Sequence, residues 1–194
     1  LYMKDMQLSD ASIASLAKVI ERGKALENLD LSFNTLSKHG LSLLASSLHE
    51  DSKIKTLGLF QTGLSGHGAE TAALLDKITN LQWLDLGGND MTHSDIDAII
   101  TSLSNHDYIR GLDLSYNQLD DYDAIALAKW AGDAPELLRM ILGHNDIGDK
   151  GAVAIAQGLK RSSSLYTLSL NNNAMTDQSM DDFISLFKQV PTLK

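Results

Sequence analysis

Apolar residues return along this chain in one fixed frame. The stretch Leu26-Glu-Asn-Leu29-Asp-Leu31-Ser-Phe-Asn34-Thr-Leu36 sets it. The frame recurs at Ile54, Leu57, Leu59, Thr62 and Leu64, then at Leu81, Leu84, Leu86, Asn89 and Met91. It continues at Ile109, Leu112, Leu114, Asn117 and Leu119, at Leu137, Met140, Leu142, Asn145 and Ile147, and at Leu165, Leu168, Leu170, Asn173 and Met175. A copy without its first apolar position opens the chain with Leu1, Met3, Met6 and Leu8. The second apolar position falls at 1, 29, 57, 84, 112, 140 and 168, so every step is 28 residues except one of 27. A fixed period of this length marks a stack of similar units.

Each unit has two halves. Alternating apolar and polar residues in the first half predict a short strand. The second half carries residues four apart, which share one helix face. These are Ser12/Leu16/Ile20, Gly40/Leu44/Leu48, Asp95/Ile99/Leu103, Asp123/Leu127/Ala131, Gly151/Ile155/Leu159 and Ser179/Phe183/Phe187. Ser9, Ser37, Ser65, Thr92, Asp120, Gly148 and Thr176 stand where these helices begin, and six of the seven are Ser, Thr or Asp, residue types that cap helix N-termini. A lone strand–helix pair cannot bury its apolar face, so the units must stack, each touching its neighbours. The predicted fold is an α/β solenoid: a right-handed β/α horseshoe arc, with a parallel sheet on the concave side and helices on the convex side. The Asn at 34, 89, 117, 145 and 173 sits where each strand ends and the backbone turns inside the stack. A buried amide both donates and accepts, so these residues are expected to form a ladder. Thr62 and Met6 interrupt it.

Leu112-Asp-Leu-Ser-Tyr-Asn117-Gln-Leu119 and Leu29-Asp-Leu-Ser-Phe-Asn34-Thr-Leu36 resemble leucine-rich repeats. The 28-residue period with a helix in every copy, and Gly40, Gly68 and Gly151 at helix starts, resemble the ribonuclease-inhibitor-like subtype. The resemblance implies a largely intracellular family that binds proteins on the concave side. It includes Ran GTPase-activating proteins, tropomodulins, sensor regions of innate immune receptors and bacterial effectors. A cytoplasmic location is therefore expected, or delivery into a host cell if the source is bacterial.

Composition narrows the functions. Apolar residues make up 43% and charged residues 21%, values of a folded chain. The net charge of −9 argues against nucleic acid as a partner. Without cysteine there is no disulfide framework, thiolate metal site or thiol nucleophile. No apolar run is long enough to span a bilayer. H-E-x-x-H, P-loop and G-x-S-x-G patterns are missing from the sequence, so neither an enzyme nor a cofactor or metal site is expected.

Side chains alternate along a strand, so the residues between the leucines form the concave surface. Tyr2, Phe33, Phe60, Trp83 and Tyr116 all fall on it, five of the chain's 11 aromatics. Aromatics of this kind anchor interfaces, and Phe60 and Trp83, one copy apart, are expected to share a patch. The alternative for Phe33 and Tyr116 is packing against the next turn at the edge of the face. Asp30, Asp85 and Asp113 form an acidic column, which either steers a basic partner or is simply the common L-D-L solution of such repeats. Lys4 and Arg139 are the basic counterparts. The candidate partner-binding residues are Phe33, Phe60, Trp83, Asp85, Asp113, Tyr116, Arg139 and His144, for a protein partner engaged by a monomer.

His39, His67 and His93 recur near helix starts, but successive copies stand too far apart for one tetrahedral metal site; the histidines are read as surface helix residues. Trp130, near a helix end, either covers the turn beside Ala131 or offers a convex contact. Regulation of a small GTPase is a second functional reading. None of Arg22, Arg110, Arg139 and Arg161 lies in a matching motif, and no acidic tail follows. A bacterial effector that targets a host protein is a third. The 194 residues are expected to form one array, 1–194, of about seven copies, and from the frame begun at Val190-Pro-Thr-Leu193 the array is expected to be a segment of a longer protein.

Overall fold

A computed structural model describes residues 1–23, 25–49 and 52–193. Strands and helices alternate: α1 Asp10–Arg22, β1 Asn28–Asp30, α2 Lys38–Ser47, β2 Thr56–Gly58, α3 Gly68–Leu75, β3 Trp83–Asp85 and α4 His93–Leu103. They continue with β4 Gly111–Asp113, α5 Asp121–Asp133, β5 Arg139–Ile141, α6 Asp149–Leu159, β6 Thr167–Ser169, a 3-10 turn Asp177–Ser179 and α7 Met180–Gln189. The six strands pair in chain order, all parallel. Their register puts Leu29 beside Leu57, then Leu84, Leu112, Met140 and Leu168. The frame read from the sequence is thus the hydrogen-bonding register of the sheet. A bridge from Tyr2 to Asp30 extends it to the first copy.

The leucines between strand and helix are buried along the length of the stack, from Leu29 and Leu31 to Leu159 and Leu165. Each fully buried one stabilises the fold by roughly 1.5–3 kcal/mol. Trp130 is 7% exposed and belongs to this core. It lines a groove between α4 and α5 with Ile100, Leu103, Ala126 and Pro135.

The asparagine ladder joins copy to copy. Asn117 accepts the N–H groups of Asn89 and Met91 and donates to the carbonyls of Leu86, Leu114 and Ser115. Asn89 and Asn145 repeat this arrangement. At the interruption, Thr62 turns its hydroxyl to the Leu59 carbonyl and gives only its backbone carbonyl to Leu36 N–H.

Three expectations need correction. Ser65 does not cap α3. Gly66 takes a left-handed conformation, φ 71, which delays the helix to Gly68 with His67 before it. Asp95 of the following copy accepts the N–H groups of Gly66 and Gly68 instead. Phe187 is 54% exposed, whereas Leu186 is fully buried. The 3-10 turn precedes α7, and Phe187 lies with Leu168, Leu170, Met180 and Phe183 on the end face of the stack. His106 is buried, not on the surface: its Nδ1 lies 2.9 Å from the Ser102 carbonyl and its Nε2 3.1 Å from that of Leu75.

Candidate functional site

The open face of the sheet, the concave side of the predicted arc, presents β1–β6 and the turns after them. The turn residue before each ladder position, at 5, 33, 61, 88, 116, 144 and 172, has positive φ in every copy. Glycine, aspartate and asparagine accept that conformation readily. For Phe33 and Tyr116 it costs roughly 1–2 kcal/mol. The strain aims the rings outward, leaving Phe33 46% and Tyr116 52% exposed.

Those rings form a row. Phe33 meets Phe60 with centroids 5.3 Å apart, and Phe60 meets Tyr116 edge to face at 6.4 Å. Tyr116 stacks on His144 at 4.0 Å, 9° from coplanar. His144 Nε2 lies 2.9 Å from Asn172 Nδ2. Phe60 reaches Tyr116 across a whole copy because that copy carries Gly87-Gly88. A Cβ on Gly87 would lie 2.7 Å from the Phe60 ring, and one on Gly88 would lie 3.4 Å from it. The glycine pair, which matched no phosphate loop, is a seat for Phe60. Trp83 does not join this row. Its indole lies across Gly111 of the next strand, where a Cβ would lie 1.9 Å from Cε3. Phe60 and Trp83 share the face but sit on separate seats.

The acidic column follows the same register, Asp30, Gly58, Asp85, Asp113. Asp30 is held by Lys4 at 3.0 Å and leans over Gly58. Burial pushes its carboxyl up, but hydrogen bonds from Ser32 and Lys4 outweigh that and hold it below the usual value. Asp113 accepts the Ser115 hydroxyl at 2.6 Å. Among the described residues, Asp85 accepts only the Gly87 N–H, at 3.1 Å. Burial, with Asp113 and Asp30 nearby, raises its pKa to about 6. Arg139 is exposed at the start of β5, in register with Gly111 of β4, and Ile141 takes the position beside Asp113.

A second constellation lies at the helix starts. His93, Asp120 and Asp123 have ligand atoms within 4.8 Å of one another and are the residues that could hold a metal ion among those described. His93 Nδ1 lies 3.0 Å from both oxygens of Asp123, and hydrogen bonding and charge from Asp123 raise its pKa. A proton on the imidazole satisfies this pair without an ion. The same position of the preceding copy, Asp95, also reaches back across the copy boundary. Asp121 reaches forward instead, accepting Gly148 and Gly151 N–H at 2.8 Å each, and Asp149 accepts Thr176 N–H and hydroxyl. Asp95, Asp121 and Asp149 thus cap a neighbouring copy's helix start, whereas Asp120 and Asp123 cap their own, with Asp123 also holding the His93 ring of the preceding copy. The sequence signal was there, as Asp at offsets of 27 to 30 from unsatisfied helix starts.

With this geometry in place, a model of the leucine rich repeat family matches residues 108–128 and 137–156. The chain carries leucine-rich repeats. Among curated proteins, the repeats are similar to the mouse NACHT, LRR and PYD domains-containing protein 12, 36% identical over 96 residues. That match covers 47% of this chain and spans only 9% of the relative's length. Among solved structures, an internalin C2 from Listeria monocytogenes aligns with a TM-score of 0.61 and 21% identity, over 96% of this chain and 72% of that one. The actin-binding site 2 of leiomodin-1 aligns with a TM-score of 0.55 and 18% identity, over 66% and 74% of the two chains. At these identities the likeness is one of fold. No helix among the described residues is long and apolar enough to cross a membrane.

Proposed function

We propose that this leucine-rich repeat array is a protein-binding scaffold that works through the open face of its sheet. The observation that carries the reading is the row Phe33, Phe60, Tyr116 and His144, exposed in part and running from β1 to the turn after β5. An exposed aromatic stretch on a rigid surface calls for a partner, and rigid strands lower the entropic cost of meeting one. The strained backbone under Phe33 and Tyr116 is of the kind found at functional sites. The 28-residue copies, with helices of 8 to 13 residues from α3 to α5, fit the ribonuclease-inhibitor-like subtype. Leiomodin-1's actin-binding site shows the same fold in a protein named for binding another protein. The GTPase-regulator reading gains less: Arg110 is held by Glu136 at 2.9 Å and Arg161 by Asp133 at 3.3 Å.

Photo-crosslinking tests the proposal. A benzophenone side chain at Arg139 or Thr167 on the open face should trap a cellular protein, and one at Ser42 or Thr101 on exposed helix positions should not. Equal trapping from both sides, or trapping from the helices alone, would remove the assignment.

A further inference from the structure

We propose that the open face contains a socket for one basic side chain of the partner, an arginine in preference to a lysine, seated on Asp85 between the rings of Trp83 and Phe60. This rests on the reading of that face as the docking surface and names the chemistry of what docks.

The residues around Asp85 are laid out by the register. Trp83 precedes it by two positions on the same strand and face, with its indole over Gly111. Gly87 follows by two, roofed by the Phe60 ring. Asp113 stands beside it on β4. On β2 its neighbour is Gly58, over which Asp30 leans, with Oδ1 2.7 Å from where a Cβ would be. Adjacent strands are about 4.8 Å apart. The result is a carboxylate with an aromatic ring toward each end of the strand and a further carboxylate on each side.

The charges are unbalanced. Lys4 neutralises Asp30. Among the described residues, no lysine, arginine or histidine forms an ion pair with Asp85 or Asp113. The hydroxyl of Ser115 serves Asp113, and Asp85 has one backbone N–H. Burial first, and then the neighbouring charges of Asp113 and Asp30, raise the pKa of Asp85. A guanidinium supplies what is missing. It pairs with a carboxylate through parallel N–H bonds and stacks its plane on aromatic faces. Cations gain further from an aromatic wall. An anion or a phosphate backbone meets two unpaired carboxylates here and is repelled. The chain's net charge of −9 draws basic partners toward the whole surface.

The test uses two uncharged-backbone probes of matched shape, N-acetyl-arginine amide and N-acetyl-citrulline amide, titrated into the full chain and followed by NMR. The arginine probe should shift the Trp83 indole N–H. It should also lower the titration midpoint of the Asp85 carboxyl carbon from about 6 toward 3.8, because a cation that binds the ionised form must favour ionisation. The Asp85→Asn variant, which keeps the shape, should weaken arginine binding by about tenfold. Citrulline should bind far more weakly. Equal shifts from both probes with an unmoved Asp85 midpoint would overturn the socket and leave the aromatic docking face standing. No shift at any open-face position from either probe would also overturn the socket, while crosslinking at Arg139 and Thr167 decides the docking face independently.

Discussion

Replacing Asp85 with asparagine should stabilise the free protein at neutral pH. The carboxyl titrates at about 6 against an ordinary 3.8, first because burial disfavours its charge and then because Asp113 and Asp30 repel it. Gly87 N–H and Lys4 pull the other way and lose. An acid whose pKa is higher folded than unfolded holds its proton more tightly in the folded state. Stability therefore falls as pH rises from 3.8 through about 6, and the full penalty is present above that window. The gap between 3.8 and about 6 corresponds to about 3 kcal/mol. Solvent still reaches this half-buried group, and screening reduces the expected gain to about 1–2 kcal/mol. Asparagine keeps an oxygen for the Gly87 N–H, so the substitution removes charge and little else. Urea unfolding of both proteins, followed by circular dichroism from below pH 3.8 to neutrality, measures the difference. It should be near zero at the acidic end and grow in favour of the variant across the window. A variant equal to or weaker than wild type at neutral pH, or a gap that ignores pH, would refute the reasoning. A residue that costs stability in the free protein and recovers it against a cation is what the proposed socket requires.

Three further outcomes follow from the packing. Gly158→Ala should destabilise by about 1–3 kcal/mol despite alanine's better helix propensity, because its Cβ would lie 2.4 Å from the Ala128 carbonyl of the neighbouring helix; a thermal melt at or above wild type would contradict this. Asn117→Ala strands the buried N–H groups of Asn89 and Met91 and should cost about 2–6 kcal/mol at ~1–3 per orphaned group; denaturant unfolding that shows a smaller loss would mean that the ladder contributes little. His93, paired with Asp123, should titrate above 6.5 in a proton NMR titration, its contribution complete below 6.5 and lost as pH rises through the folded value; a midpoint at or below 6.5 would show the pair to be unformed.

What was legible in the sequence, and what was not, divides along a physical line. The core repeats identically, so Leu29, Leu57, Leu84, Leu112, Met140 and Leu168 could be aligned by counting, and the sheet register matched that count residue for residue. The asparagine ladder was legible for the same reason. The features that escaped depend on differences between neighbouring copies. Nothing local in Phe33 or Tyr116 announces a left-handed backbone; only Gly88, Asp5 and Asn172 at the same position of other copies hint at it. Asp121 and Asp149 look like surface charge until the next copy's helix start is laid against them. The relief of the open face is set in the same way. Phe60 lies down because position 87, one copy on, is glycine, and Trp83 lies down because position 111 is glycine. Had either glycine carried a side chain, the ring above it would stand elsewhere, with the buried leucines unchanged. The core is thus a property of the repeat, whereas the binding surface is a property of pairs of unlike copies. Each candidate anchor must therefore be judged together with the residue 27 or 28 positions away.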